Sequence, residues 1–301
     1  MDRLHPTHGK GSNESMTVPE SVFIEGDTGH KIHVQDWGGD GPPMLLLHGL
    51  GAHTQWWDPV IPALKGSFRV VAMDLRGHGD SNWTEPPRYT VPNYTWDIEH
   101  VRRHFGWNSF LLAGHSLGAR VCVHYTLGHR GRVDRLILLD FLAAVREASD
   151  QKYEQKMKRR QPSYNDRARM VRNFHLQPPG THASRETLNQ IGEHSVRQLD
   201  NGRWSWKFDW RAFYMEYPPI WEEIKALDLP TLILRGEKSA VMPRSAYDKV
   251  LDELPKASGV EIAGAYHHIT LDAPMSVARH MLEFSLPPLS TGGASASSLG
   301  L

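Results

Sequence analysis

A single cysteine, Cys122, occurs in 301 residues. That excludes an intrachain disulfide and the paired cysteines of a zinc ribbon or a redox motif. The lone thiol follows Ser116 by six residues on an apolar helical stretch, where a small core side chain is expected. Charge of one sign is lacking too. Lys plus Arg and Asp plus Glu number 34 each, so no net field draws nucleic acid or an acidic membrane. No apolar run approaches the roughly 20 residues that span a bilayer. Residues 1–17 are polar, without the apolar centre of a secretory leader. A soluble, cytoplasmic protein is expected, with a small-molecule substrate as partner, no nucleic acid and no membrane; a homodimer stays open. His-Glu-x-x-His and clustered Cys/His spacings are also missing, so no metal and no other cofactor is expected.

What is present centres on Leu111 to Arg120, an apolar run ending in Gly114-His115-Ser116-Leu117-Gly118 and passing directly into helix-compatible sequence. It reads as a strand that breaks sharply into a helix. In such a turn the serine hydroxyl points outward, and glycines two residues either side let strand and helix pass closely. The unpaired amides at the start of the helix then face whatever the serine attacks.

Around this turn, buried strands alternate with helices. A hairpin is expected over residues 20–37, then strands at Met44–Leu47 and Arg69–Asp74, with a helix at Gln55–Leu64 between them. Tyr94, Ile98, Val101 and Phe105 recur at helical spacing. The serine strand and its helix follow, then the strand Leu136–Leu139 ending in Asp140. The rhythm stops at about Phe141: residues 145–215 are polar, with aromatics at Trp204, Trp206, Phe208, Trp210, Phe213 and Tyr214, and read as a mostly helical insertion. It resumes with a helix at Ile220–Ala226, strands at Thr231–Arg235 and Gly259–Ile262, and helices at Arg244–Leu254 and Pro274–Phe284. This alternation implies a parallel sheet with right-handed crossovers.

Four motifs in this order make the chain resemble the α/β-hydrolase family, in its capped, cofactor-free branch: His48-Gly49-Leu50-Gly51, Asp74-Leu75-Arg76-Gly77-His78-Gly79-Asp80-Ser81, Gly114-His115-Ser116-Leu117-Gly118, and His267 before Leu271-Asp272-x-Pro274. The resemblance implies a mostly parallel eight-stranded sheet flanked by helices. The core would be residues 18–140 and 216–286, with a helical lid at 141–215 after the sixth strand and disordered ends at 1–17 and 287–301. It implies Ser116 as nucleophile and His267 as its base, with His268 as competitor. The amides of Leu50 and Leu117 would form an oxyanion hole. His48, His78 and His115 become structural or pocket-lining. Trp204, Trp206 and Trp210 would line the substrate pocket beneath the lid. Trp56 and Trp57 either wall the acyl pocket or pack their helix.

The chain departs from the family at the acid. Where an aspartate usually follows the seventh strand, the sequence reads Gly236-Glu237-Lys238-Ser239-Ala240. Asp140 is the preferred substitute, at the carboxyl end of the sixth strand and in the chain order serine, acid, histidine; some family members place their acid there. The alternatives are no functional acid, which would make Ala240 the mark of a disabled enzyme, or another carboxylate such as Glu237. The expected activity is hydrolysis of a small or medium apolar carboxylic ester or lactone through an acyl-enzyme. Carbon–carbon bond cleavage in a diketone acid, or low-turnover ligand binding on a hydrolase scaffold, are the rivals. An epoxide hydrolase or dehalogenase would carry aspartate at position 116.

Overall fold

Successive side chains of the central strands point to opposite faces of the sheet and are buried on both, which divides the core into two apolar layers. The structure is a computed structural model and describes residues 18–143, 161–214 and 218–286. The expected disordered ends at 1–17 and 287–301 lie outside the described residues, as do residues 144–160 of the expected lid.

The sheet is built from β1 (Glu20–Glu25), β2 (Lys31–Asp36), β3 (Pro43–Leu47), β4 (Arg69–Met73), β5 (Phe110–His115), β6 (Val133–Leu139), β9 (Thr231–Gly236) and β10 (Ala257–Ile262), in the order 1-2-4-3-5-6-9-10. β1, β2 and β4 pair antiparallel and every other neighbour is parallel. Chain order reverses around β3, so the loops leaving β3 and β5 meet at the carboxyl edge, where such sheets gather their ligands.

On one face Leu45, Leu47, Leu112, Leu136 and Leu138 pack against α2 (Val91–His104), α3 (Leu117–Gly128), α6 (Trp221–Lys225) and α7 (Arg244–Glu253). On the other, Met44, Leu46, Ala113, Ile137 and Leu139 meet α1 (Ile61–Leu64) and α9 (Pro274–Ser285). The single helix expected over Gln55–Leu64 is broken into a 3₁₀ turn at Thr54–Trp57 and the short α1. Pro62 is the cause: it lacks an N–H and is accommodated only in the first turn of a helix.

Between β6 and α6 the described part of the insertion holds α4 (Arg167–Arg172), α5 (Arg185–His194) and a 3₁₀ turn at Trp210–Tyr214. The caps are conventional: Asp166 accepts from Arg169 N at 2.9 Å and Ser184 from Thr187 N at 3.0 Å. The segment is less helical than expected, because β7 (Val196–Gln198) and β8 (Trp204–Trp206) form an antiparallel hairpin. Three-residue strands are too short to show a period of two, and the turn residues Asp200-Asn201-Gly202 were its only legible signal.

Candidate active site

Ser116 occupies the break between β5 and α3 with φ 55° and ψ −114°, a backbone conformation that costs a non-glycine residue about 1–3 kcal/mol. The flanking glycines are forced by contact. A Cβ on Gly114 would lie 2.4 Å from the carbonyl carbon of Gly118, and one on Gly118 would lie 2.6 Å from the oxygen of Leu47. A side chain at either would push the helix off the sheet and carry Ser116 away from the edge.

Three of the expected side chains come together there. His267 Nε2 is 3.1 Å from Ser116 Oγ, and His267 Nδ1 is 2.7 Å from Asp140 Oδ1. Asp140 directly follows β6, itself at a positive φ of 40°, and is fully buried. Its carboxylate is held from the loop after β9: Ser239 Oγ donates to Oδ1 at 2.5 Å and Gly236 N donates to Oδ2 at 2.7 Å. The sequence reading finds no acid at Ser239 and misses it as a donor to Asp140. Its place in the usual acid loop was the available signal. Burial pushes the Asp140 carboxyl up to about 6, against the hydrogen bonds from Ser239 and Gly236 that favour its charge. Burial drives His267 below the usual imidazole range. At neutral pH the site therefore holds an ionised Asp140 and a neutral imidazole able to accept a proton.

The other histidines have different duties. His268 turns toward the lid, its Nε2 3.2 Å from Pro178 O, and is no rival to His267. His115 Nε2 donates to the carbonyl of His267 at 2.8 Å and anchors that loop. His48 accepts from Leu75 N through Nε2 at 3.0 Å and donates through Nδ1 to Gly49 O at 2.7 Å, so it locks the β3 loop in place as a neutral ring. That loop sits against the elbow, since a Cβ on Gly49 would be 3.0 Å from Ser116 Cβ. Leu50 follows it, half-buried, and Leu117 opens α3, where an amide has no partner one turn back.

Described residues of the insertion pack against the loops at this edge. Phe208 pairs its backbone with His78, sets its ring at a tilt 4.8 Å from the His78 ring, and would touch a Cβ on Gly51 at 3.9 Å. Trp206, Trp210 and Phe213 pack on the same apolar cluster as Leu50 and Leu117. Trp56 joins Leu176, Ile191 and Leu271, with Phe174 bridging from it to Trp206. Two of the expected pocket residues are placed elsewhere. Trp57 has no exposed surface and belongs to the apolar layer of α1 and α9, because the broken helix turns it inward under the sheet. Trp204 packs within the lid against Met170, Val171 and Val196, with the Arg167 guanidinium 5.4 Å above its ring. A cleft of about 690 Å³ opens where the insertion rejoins the core, walled by Tyr89, Arg120, His124 and Arg211 but by neither Ser116 nor His267.

Among the described residues two acidic clusters have the spacing for a cation. In Asp27, His30 and Asp97, the buried Arg76 guanidinium fills the space, donating to both oxygens of Asp97 at 2.7 and 2.5 Å. In His33, Asp74 and Asp80, both ring nitrogens of His33 are engaged and Lys207 Nζ lies 2.7 Å from Asp80. Asp74 instead ties the surrounding loops together, accepting from Thr54 N at 2.7 Å and Asp80 N at 2.9 Å.

With this fold and this edge on view, the chain belongs to the α/β-hydrolase fold family, whose model matches residues 42–274. It is similar to the esterase Rv0045c of Mycobacterium tuberculosis, 28% identical over 211 residues that cover 67% of this chain and 68% of that protein. It is also similar to a serine hydrolase-like protein of Mus musculus, 39% identical over 114 residues covering 37% of this chain and 36% of that one. Among solved structures, E-2-(acetamidomethylene)succinate hydrolase shares the fold with a TM-score of 0.76 at 22% identity, over 89% of this chain and 99% of the other. Family and esterase relative together support a hydrolase. Among the described residues no helix is long and apolar enough to cross a membrane.

Proposed function

We propose that the protein is a cofactor-free serine hydrolase that cleaves a small or medium apolar carboxylic ester or lactone through an acyl-enzyme at Ser116. The observation that carries this reading is the unbroken hydrogen-bond chain from Ser116 Oγ through His267 to Asp140, at 3.1 and 2.7 Å.

The serine hydroxyl transfers its proton to His267 Nε2 as Oγ attacks the ester carbonyl, and Asp140 stabilises the imidazolium that forms. The tetrahedral oxyanion lies against the amides of Leu50 and Leu117. As it collapses, His267 gives its proton to the departing alkoxide, leaving acyl-Ser116 and an alcohol. For a lactone, that alcohol stays attached to the acyl chain. His267 then takes a proton from water, the hydroxide attacks the acyl carbon, and Ser116 leaves with the proton returned by His267. The aromatic side chains of the insertion, Phe208 against His78 among them, support an apolar acyl or alcohol group.

Asp140 in contact with His267 favours turnover over mere ligand binding, since the alanine at 240 then removes nothing the histidine needs. A serine at 116 favours an acyl-enzyme over a carboxylate-based opening of an epoxide. The test is labelling with a fluorophosphonate probe, followed by a panel of esters and lactones. Labelling lost in Ser116→Ala, together with turnover of at least one apolar ester or lactone, is expected. Wild-type protein inert to the probe refutes the reading.

A further inference from the structure

The loop that carries His267 is clasped by the lid at one residue the chemistry does not use. Asp272, at the end of the short helix α8 (Ile269–Asp272), divides its carboxylate between two elements. Oδ2 accepts from Tyr266 N at 2.8 Å, the amide just before His267. Oδ1 accepts from Thr181 Oγ1 at 2.5 Å and from His182 N at 2.8 Å, both in the lid. Further contacts run alongside: His182 Nε2 donates to Gly264 O at 3.1 Å, His268 Nε2 donates to Pro178 O at 3.2 Å, and the His182 and Tyr266 rings lie 5.2 Å apart. The approach is so tight that a Cβ on Gly180 would come 2.7 Å from the Tyr266 ring. One rigid carboxylate thus holds the lid segment 178–183 and the histidine loop at the same time.

We propose that Asp272 is a positioning residue that couples seating of the lid to the setting of His267 against Ser116. This rests on Ser116 and His267 being the reacting pair. The backbone under that carboxylate is fixed because the amide of Asp272 donates to His268 O at 3.0 Å, closing the turn that directly follows His267. When the lid releases Thr181 and His182, Oδ1 loses both donors. The carboxylate is then free to rotate off Tyr266 N, and the histidine loop loses its brace.

The decisive variant is Thr181→Val, which removes the lid's hydroxyl donor while keeping its shape and touching neither Ser116 nor His267. Two readouts are taken on the full chain: the second-order rate of fluorophosphonate inactivation, and kcat and KM for p-nitrophenyl butyrate. Thr181→Val is expected to slow inactivation and lower kcat by about tenfold each. Asp272→Ala lowers both at least as far, and adding Thr181→Val to Asp272→Ala changes neither further, because coupled residues do not act additively. Asp272→Glu, which keeps the carboxylate, restores part of the loss. A Thr181→Val protein that reacts with the probe at the wild-type rate, with only KM altered, overturns the coupling while leaving Ser116 as the nucleophile. Wild-type protein inert to the probe overturns the assignment of Ser116, and the coupling with it.

Discussion

Replacing Asp140 by asparagine should nearly abolish turnover while leaving the fold as stable as before, and the reasons lie in how the carboxylate is held. Both of its oxygens accept: Oδ1 from His267 and Ser239, Oδ2 from Gly236 N. An asparagine amide presents one acceptor and one donor, so one side must receive an N–H. Placed toward Gly236, the NH₂ group would face a backbone donor across 2.7 Å with no room to turn, a buried mismatch worth about 1–3 kcal/mol. Placed toward His267, it can donate to Nδ1, provided the imidazole carries its proton on Nε2. That second arrangement keeps the acceptor for Gly236 N but turns Ser239 Oγ from donor to acceptor of the NH₂ group, and it is the wrong tautomer, because Nε2–H can no longer accept the proton of Ser116. Loss of the acid by this route typically lowers turnover about 10⁴-fold, equivalent to roughly 5 kcal/mol in the barrier. Stability moves the other way. A carboxyl raised from 3.8 to about 6 by burial makes its ionised form cost about 3 kcal/mol at neutral pH; that penalty is present above pH 6 and relieved as pH falls through it. Asparagine removes it, so the melting temperature at pH 8 should not fall. The assay is steady-state hydrolysis of p-nitrophenyl butyrate beside thermal denaturation, with Ala240→Asp as the companion variant expected to gain nothing. Retention of more than a tenth of wild-type kcat in Asp140→Asn, or a thousandfold gain in Ala240→Asp, would refute the assignment.

Other consequences are as direct. kcat/KM should be level above pH 7 and fall below about 6, because a proton on Asp140 leaves His267 without its acceptor. In Ser239→Ala that acid limb should move to higher pH, since the lost hydrogen bond favoured the charged form; a limb that stays in place counts against Ser239. Ser116→Ala or His267→Ala should each lower turnover by about 10³-fold or more with an unchanged circular dichroism spectrum. Phe208→Ala should alter the ratio of kcat/KM between short and long acyl esters by about tenfold without moving the pH profile, as expected of a pocket contact. Arg76→Met strands the buried Asp97 without its cation and should destabilise the fold by about 3–5 kcal/mol, read by urea denaturation.

The strands and the elbow were legible in the sequence because each is a local pattern. Met44–Leu47 and Leu136–Leu139 are apolar throughout because both faces of the strand are covered, and Gly114 and Gly118 bracket Ser116 because nothing larger fits. What stayed hidden was set by contacts distant in sequence. The hydroxyl of Ser239 acquires meaning only beside Asp140, 99 residues earlier. Trp56 and Trp57 are adjacent and alike, yet a 3₁₀ turn sends one to the lid and the other beneath the sheet, and periodicity for a regular helix could not separate them. Asp272 read only as part of a motif before Pro274, and its hold on Thr181 spans 91 residues.

The proposed shift of the acid to Asp140 agrees with the geometry of the sheet. β6 and β9 are adjacent parallel strands, with Leu139 paired to Leu234, and the backbone of Asp140 continues the pairing by donating to Leu234 O at 2.8 Å. Loops leaving two such strands at the same edge emerge about 5 Å apart, within the reach of one side chain, so a single imidazole can be met from either. Moving the carboxylate from the β9 loop to the end of β6 leaves its former loop with nothing to carry, unless that loop supports the carboxylate in its new place. Here it does so twice, through the Gly236 amide and the Ser239 hydroxyl. Ser239 Oγ, which accepts from Val241 N and Met242 N, and the Gly236 N–H both donate to the carboxylate oxygens that a buried anion needs filled. Under this arrangement, reversing the move requires both changes at once. Asp140→Asn combined with Ala240→Asp should stay inactive, because Ala240 is exposed while the donors still point at position 140.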